Sequence, residues 1–151
     1  MHDMAQHVML VIESDKEIIV PNEVLHLTSS CPGFLLWHHD LKKLTSLRLI
    51  FLYGKINEGS IKQIFNHVHV RVLYLAGIQL KTLPESSCKL KHLKYLNLSR
   101  SSIQVLHESI IYLQNLQVLL LYRCKFLYKL PKGLRYMSNL GFLIFTNIVF
   151  F

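Results

Sequence analysis

An apolar position returns at near-constant intervals down this chain: Val24, Leu47, Val70, Leu93, Leu116 and Leu140 stand 23, 23, 23, 23 and 24 residues apart. That period constrains the fold more than any single residue does. A self-similar chain builds one small unit per repeat and buries its apolar side only by stacking those units. From Val70 onward each anchor opens the same phrase, with mostly apolar residues three, five, eight and ten places later. The first clean copy gives Leu73, Leu75, Ile78 and Leu80. The second, opened by Leu93, gives Leu96, Leu98, Ser101 and Ile103, and the third, opened by Leu116, gives Leu119, Leu121, Cys124 and Phe126. The fourth runs from Leu140 through Leu143, Phe145 and Ile148 to Phe150.

Apolar residues two apart point to one face of an extended strand while those between point away, so each phrase predicts one short strand. The spacing is that of leucine-rich repeats. The expected fold is an α/β solenoid, a horseshoe arc with a parallel β-sheet on its concave face and loops or short helices on its convex face. The eighth position usually holds Asn or Cys, whose side chain can bond backbone left unpaired where the chain leaves the strand. Cys124 fits and Ser101 does so in part, whereas Ile78 and Ile148 cannot, so their turns are expected to be less well tied. Leu83-Pro84-Glu85-Ser86, Leu106-His107-Glu108-Ser109 and Leu130-Pro131-Lys132-Gly133 then form the outer arc, with Ser87 standing where Ile110 and Leu134 place an apolar residue.

The two N-terminal copies are worn. After Leu47, Ile50 and Leu52 the pattern departs through Gly54 and Gly59 into a stretch, residues 60–65, whose apolar spacing predicts a turn or two of helix with Ser60 as N-cap. Val24 and Leu27 predict only a weak strand, and Pro32-Gly33 marks a turn before an apolar run, residues 34–37, that caps or flanks the array.

Composition excludes several classes. The 151 residues are 51% hydrophobic, enough for one continuous core, but no apolar run approaches the roughly 20 residues of a membrane span. Asp3 and His7 interrupt the start where a signal peptide would place an apolar run, and the cysteines are few and odd in number: Cys31, Cys88 and Cys124. A reduced cytoplasmic setting is the expectation, in which the sequon at Asn97 stays unmodified. The net charge of +8, with its cluster Lys89, Lys91, His92 and Lys94, accompanies no nucleic-acid module and is read as a soluble surface. His38-His39 and His67-x-His69 lack a second ligand pair at metal-binding spacing. No phosphate-cradling loop or nucleophile motif is present; Cys88 and Cys124 occupy packing positions, and no catalytic residue is expected.

Residues 70–75, Leu83-Pro84-Glu85-Ser86 and residues 90–99, continued by residues 116–121, Cys124-Lys125 and Leu130-Pro131-Lys132-Gly133, resemble the repeat region of plant intracellular nucleotide-binding, leucine-rich-repeat (NB-ARC/LRR) disease resistance proteins. The opening Met1-His2-Asp3 is similar to the motif that ends the nucleotide-binding module of that family, just before its repeats. The resemblance divides the chain into residues 1–20, a remnant of that module and its linker; residues 21–69, degenerate repeats; and residues 70–151, four repeats of which the last is truncated. It implies a fragment of an immune receptor that binds protein: a pathogen effector, a guarded host protein or the receptor's own nucleotide-binding module. The histidine corresponding to His2 contacts nucleotide phosphates in the family, but through a pocket that needs a P-loop upstream, so His2 is expected to have no ligand. The alternative is a free-standing intracellular repeat scaffold, which would keep an N-terminal cap and regular Leu-Pro repeats throughout; a secreted ectodomain would add flanking cysteine pairs.

Residues between the strand leucines line the concave face, and stacking turns them into rows. One reads Leu49, Val72, Tyr95, Val118, Phe142; the next Phe51, Tyr74, Asn97, Leu120, Ile144; a third Tyr53, Ala76, Ser99, Tyr122, Thr146, with Arg100 and Arg123 beside it. Tyrosine and arginine carry much of the binding energy at protein interfaces, so Tyr74, Tyr95, Asn97, Arg100, Leu120, Tyr122 and Arg123 are the candidate contact residues. The apolar last strand is expected to offer an open edge for self-association. No cofactor is expected: calorimetry with ADP or ATP should register no binding, and micromolar binding abolished by His2→Ala would overturn this.

Overall fold

Every strand lies beside the strand one repeat before it. In the computed structural model, which describes residues 8–12, 24–30, 44–54, 56 and 58–146, seven strands form one sheet in chain order: β1 (Val8–Ile12), β2 (Val24–Ser29), β3 (Leu49–Leu52), β4 (Val72–Tyr74), β5 (Tyr95–Asn97), β6 (Val118–Leu121) and β7 (Phe142–Phe145). Each pair of neighbours is parallel. Parallel neighbours need a long return path between them. Three of these returns contain one short 3-10 helix each, Glu85–Lys89, Glu108–Tyr112 and Lys132–Tyr136, and one contains the α-helix α1, Glu58–Ile64. The α/β leucine-rich-repeat solenoid expected from the period is the fold observed.

The core is a ladder of repeat positions. Leu73, Leu96 and Leu119 are fully or almost fully buried, as are Leu75, Leu98 and Leu121 two residues on, while the strand residues between them are more accessible. On the convex side Leu90 and Leu113 are closed off and Ser87, Ile110 and Leu134 occupy equivalent buried places. The 3-10 helices pack tightly there: a Cβ on Gly133 would come within 2.6 Å of Ile111 Cγ2. The Glu108 carboxylate accepts the backbone N–H groups of Lys132 and Gly133 at 2.8 and 3.2 Å, tying one arc to the next.

Four local expectations are corrected. Val8–Ile12 forms β1, a strand that the repeat pattern had not assigned, and Val24 and Leu27 belong to a six-residue strand whose pairing with its neighbours overrides a weak local signal. Helix α1 starts at Glu58, which puts Ser60 inside it; the buried Ile61, Ile64 and Phe65 specify the helix, whereas its first residue is only weakly set by sequence. The third repeat carries one extra residue, so Leu127 fills the core position assigned to Phe126, and Phe126 is 61% exposed. The turn after β4 keeps the inter-repeat bond of the next one, Gly77 N–H to Ser99 O and Arg100 N–H to Tyr122 O at the same 2.8 Å, but it lacks the ties made at the eighth position by Ser101 N–H to Leu98 O and by the Cys124 thiol, as expected of Ile78. Met1-His2-Asp3, residues 34–37, Cys31, His38, His39 and Ile148 lie outside the described residues.

Removing a buried leucine side chain costs about 2–5 kcal/mol, against about 5–15 kcal/mol for the whole stability of a small domain. Leu98→Ala and Leu121→Ala should each lower the melting temperature markedly, and Tyr95→Ala, which lies on the accessible side of β5, far less. Equal losses from all three in thermal melts would place Tyr95 in the core and break the assigned register.

Candidate protein-interaction surface

The strand register assembles two of the three predicted rows; the third, Tyr53, Ala76, Ser99, Tyr122 and Thr146, lies just past the strand ends. Leu49 pairs with Val72, Val72 with Tyr95, Tyr95 with Val118 and Val118 with Phe142. Phe51, Tyr74, Asn97, Leu120 and Ile144 are aligned in the same way. Tyr74 is the packing centre of the early repeats: its ring stacks on Phe51 at 5.2 Å and meets Tyr53 at 5.3 Å. Stacked in this way the rings are held before a partner arrives, which lowers the entropy lost on contact.

The candidate residues differ in what they can offer. Tyr74, Tyr95 and Leu120 are half-buried on the accessible side of the sheet, and Tyr122 is 39% exposed with the Arg123 guanidinium 5.2 Å from its ring centre. Asn97 is only 7% exposed, and its amide is engaged within the chain, donating to the Tyr95 hydroxyl at 3.3 Å and accepting from Ser99 N–H at 2.9 Å. It therefore orients Tyr95 and the turn that follows rather than presenting a free amide. Behind the face Cys124, 1% exposed, donates its thiol to Leu98 O at 3.1 Å and lies 3.6 Å from Ser101 Oγ, so the eighth-position side chains do tie the turns they occupy.

Basic residues border these rows on both sides. Arg48, Arg71 and Lys94 stand in register just before the strands, joined by backbone bonds of 2.7 and 2.8 Å. At the other end Gly54, Gly77, Arg100 and Arg123, each 23 residues after the last, share one turn position in which φ is positive: 91, 77, 59 and 57°. Glycine adopts this conformation freely, whereas a residue with a Cβ is strained by roughly 1–2 kcal/mol. The border residues Arg48, Arg71 and Lys94, and the exposed Lys125 and Phe126 beyond Arg123, were not among the sequence candidates; the 23-residue spacing of the first three was the available signal. His67, half-buried with Nδ1 3.2 Å from Leu44 O, has its pKa lowered by burial against a smaller opposing effect of that bond, and His69 stacks on His92 at 5.7 Å. No group of three metal-ligating side chains occurs among the described residues, and none of their helices is long and apolar enough to cross a membrane.

Residues 24–149 match the leucine-rich repeat region family, and the chain belongs to it. Leucine-rich repeat families are typically scaffolds for protein–protein interaction. Among solved structures, an internalin from Listeria monocytogenes is similar at 14% identity and a TM-score of 0.45, covering 82% of this chain and 48% of its own. A leucine-rich repeat protein of Leptospira interrogans is similar at 16% identity and a TM-score of 0.42, covering 81% of this chain and 48% of its own. The chain thus spans about half the length of these two structures. No curated protein matches the sequence significantly.

The shared turn conformation has a measurable effect on stability. A Cβ on Gly77 would meet nothing within 4 Å, so Gly77→Ala isolates backbone strain and should lose about 1–2 kcal/mol in urea denaturation. Arg100→Gly at the equivalent turn should lose none and can gain a fraction of that amount, since glycine relieves the strain but adds unfolded-state freedom. A loss at both positions would show that Arg100 packs as a structural residue.

Proposed function

We propose that this chain is the protein-recognition part of a plant intracellular immune receptor of the nucleotide-binding, leucine-rich-repeat class, acting in the cytoplasm and holding no nucleotide itself. The sheet face would bind a pathogen protein, a guarded host protein or the receptor's own nucleotide-binding module. The observation that carries recognition is the accessible side of the sheet, where Tyr74 and Leu120 share one register row through Asn97, Tyr95 stands in the row beside it, and Tyr122 follows β6 with the Arg123 guanidinium over its ring; aromatic and arginine side chains grouped on one rigid surface are the usual anchors of an interface. The receptor class rests on the residues that resemble that family, from Met1-His2-Asp3 through the Leu-Pro arcs.

Two tests separate these levels. An in-frame P-loop in the genomic sequence upstream of Met1 would support the receptor class, and an uninterrupted repeat array there would overturn it. For the surface, binders selected from a display library against the 151-residue chain should lose at least about tenfold in affinity on Tyr74→Ala or Tyr122→Ala, a truncation loss of about 1.4 kcal/mol. Tyr136→Ala, on the convex 3-10 helix, should leave them unchanged. Binders that respond only to Tyr136 would move the recognition surface to the outer arc.

A further inference from the structure

Arg100 and Arg123 keep a strained left-handed conformation at a turn where the two preceding repeats use glycine. Their side chains help to line one cleft of about 360 Å³ together with Ser101, Ser102, Lys125 and Phe126. Three cationic residues and two serines line it, with no carboxylate among them; the Ser101 hydroxyl is buried against Cys124 Sγ, which leaves that of Ser102 to the cleft. The only carboxylates after residue 58 belong to Glu85 and Glu108, both on convex 3-10 helices, against twelve lysines and arginines in the same stretch. Neither arginine forms an ion pair among the described residues; the Arg123 guanidinium is held over Tyr122 instead, and the Arg123 N–H is taken by Thr146 Oγ1 at 2.9 Å.

We propose that this cleft is a phosphate-binding pocket that reads a phosphorylated side chain on a partner protein. A phosphate monoester carries about −1.5 to −2 charge near neutral pH and three strong acceptor oxygens, which suits several cations and a hydroxyl converging on one place better than a single carboxylate does. Arginine rather than glycine at both turns places a planar, forked donor at the mouth of the cleft, the geometry that phosphate oxygens accept. Phe126, brought to the surface by the extra residue of the third repeat, supplies an apolar wall for the stem that carries the phosphate. Phosphoprotein is favoured over RNA because the cleft adjoins an apolar stretch, the half-buried Val118 and Leu120 followed by the exposed Tyr122, that matches side chains rather than a continuous phosphate backbone. The inference rests on the sheet face being a protein-binding surface, and it names the chemistry of the partner.

The probe is phenyl phosphate, titrated into the isotopically labelled full chain and followed by NMR at the backbone amides of Arg100, Arg123 and Lys125. Saturable binding is expected, at least fivefold tighter than benzoate or inorganic phosphate. Arg100→Gly and Arg123→Gly, which suit the turn and preserve the fold, should each weaken it at least tenfold, while Lys132→Ala on the convex side should not. Binding of the Arg→Gly variants equal to that of the parent, or benzoate binding as tightly as phenyl phosphate, would overturn the pocket. So would a uridine oligonucleotide that displaces phenyl phosphate and spreads its shifts to Arg48, Arg71 and Lys94. Display-selected binders that still depend on Tyr74 and Tyr122 while the cleft stays silent would overturn the phosphate reading and leave the interaction surface standing.

Discussion

Everything in this structure depends on the fact that one repeat cannot bury its own leucines. Leu96 points inward from a three-residue strand and Leu98 from just beyond its end, a stretch too short to shield anything alone, and both become inaccessible only because the neighbouring repeats lie on either side. Strand pairing and core burial are therefore the same event. The hydrogen bonds fix which residue faces which, and that register simultaneously stacks the leucines behind the sheet and aligns Tyr74, Asn97 and Leu120 in front of it. The surface is a by-product of the core's periodicity.

For that reason the fold and the rows were legible in the sequence. A two-residue alternation inside a 23-residue period leaves one solution for what points where, and the pairings of β3 to β7 follow it. Less legible was anything decided by a single local choice. Phe126 and Leu127 are neighbours of similar apolar character, and nothing in composition says which turns inward; the 24-residue spacing from Leu116 to Leu140 shows that a residue was gained without showing where. Asn97 looked like a free contact residue because its position faces outward, yet its short amide finds the Tyr95 hydroxyl and the Ser99 N–H within its own repeat. At Val8–Ile12 the strand belongs to no recognisable phrase, and it is identified by its pairing with β2.

Gly54 and Gly77 illustrate the same limit from the other direction. Read singly, Gly54 is a break in a decaying repeat; read with Gly77, Arg100 and Arg123 it marks one recurrent left-handed turn, obeyed by arginine where glycine would be easier. Departures from local preference that recur in register are informative, because packing of the neighbouring repeats must be holding them. The border of the face is built from such positions, and its charge is the counterpart of a molecule whose few carboxylates in this half lie on the opposite side.

The residue gained between Cys124 and Leu127 is absorbed entirely in the arc. Val118 still faces Phe142, and the bridge from Thr82 to Val105 continues to Lys129 as if no length had changed. The sheet thus behaves as a ruler and the return path as slack. A chain organised in this way can lengthen, shorten or re-decorate each outer loop independently, so variety accumulates beside the ordered face while the spacing between contact rows stays constant. Diversity of target and constancy of scaffold are then separate properties of the same polypeptide, carried by different stretches of every repeat.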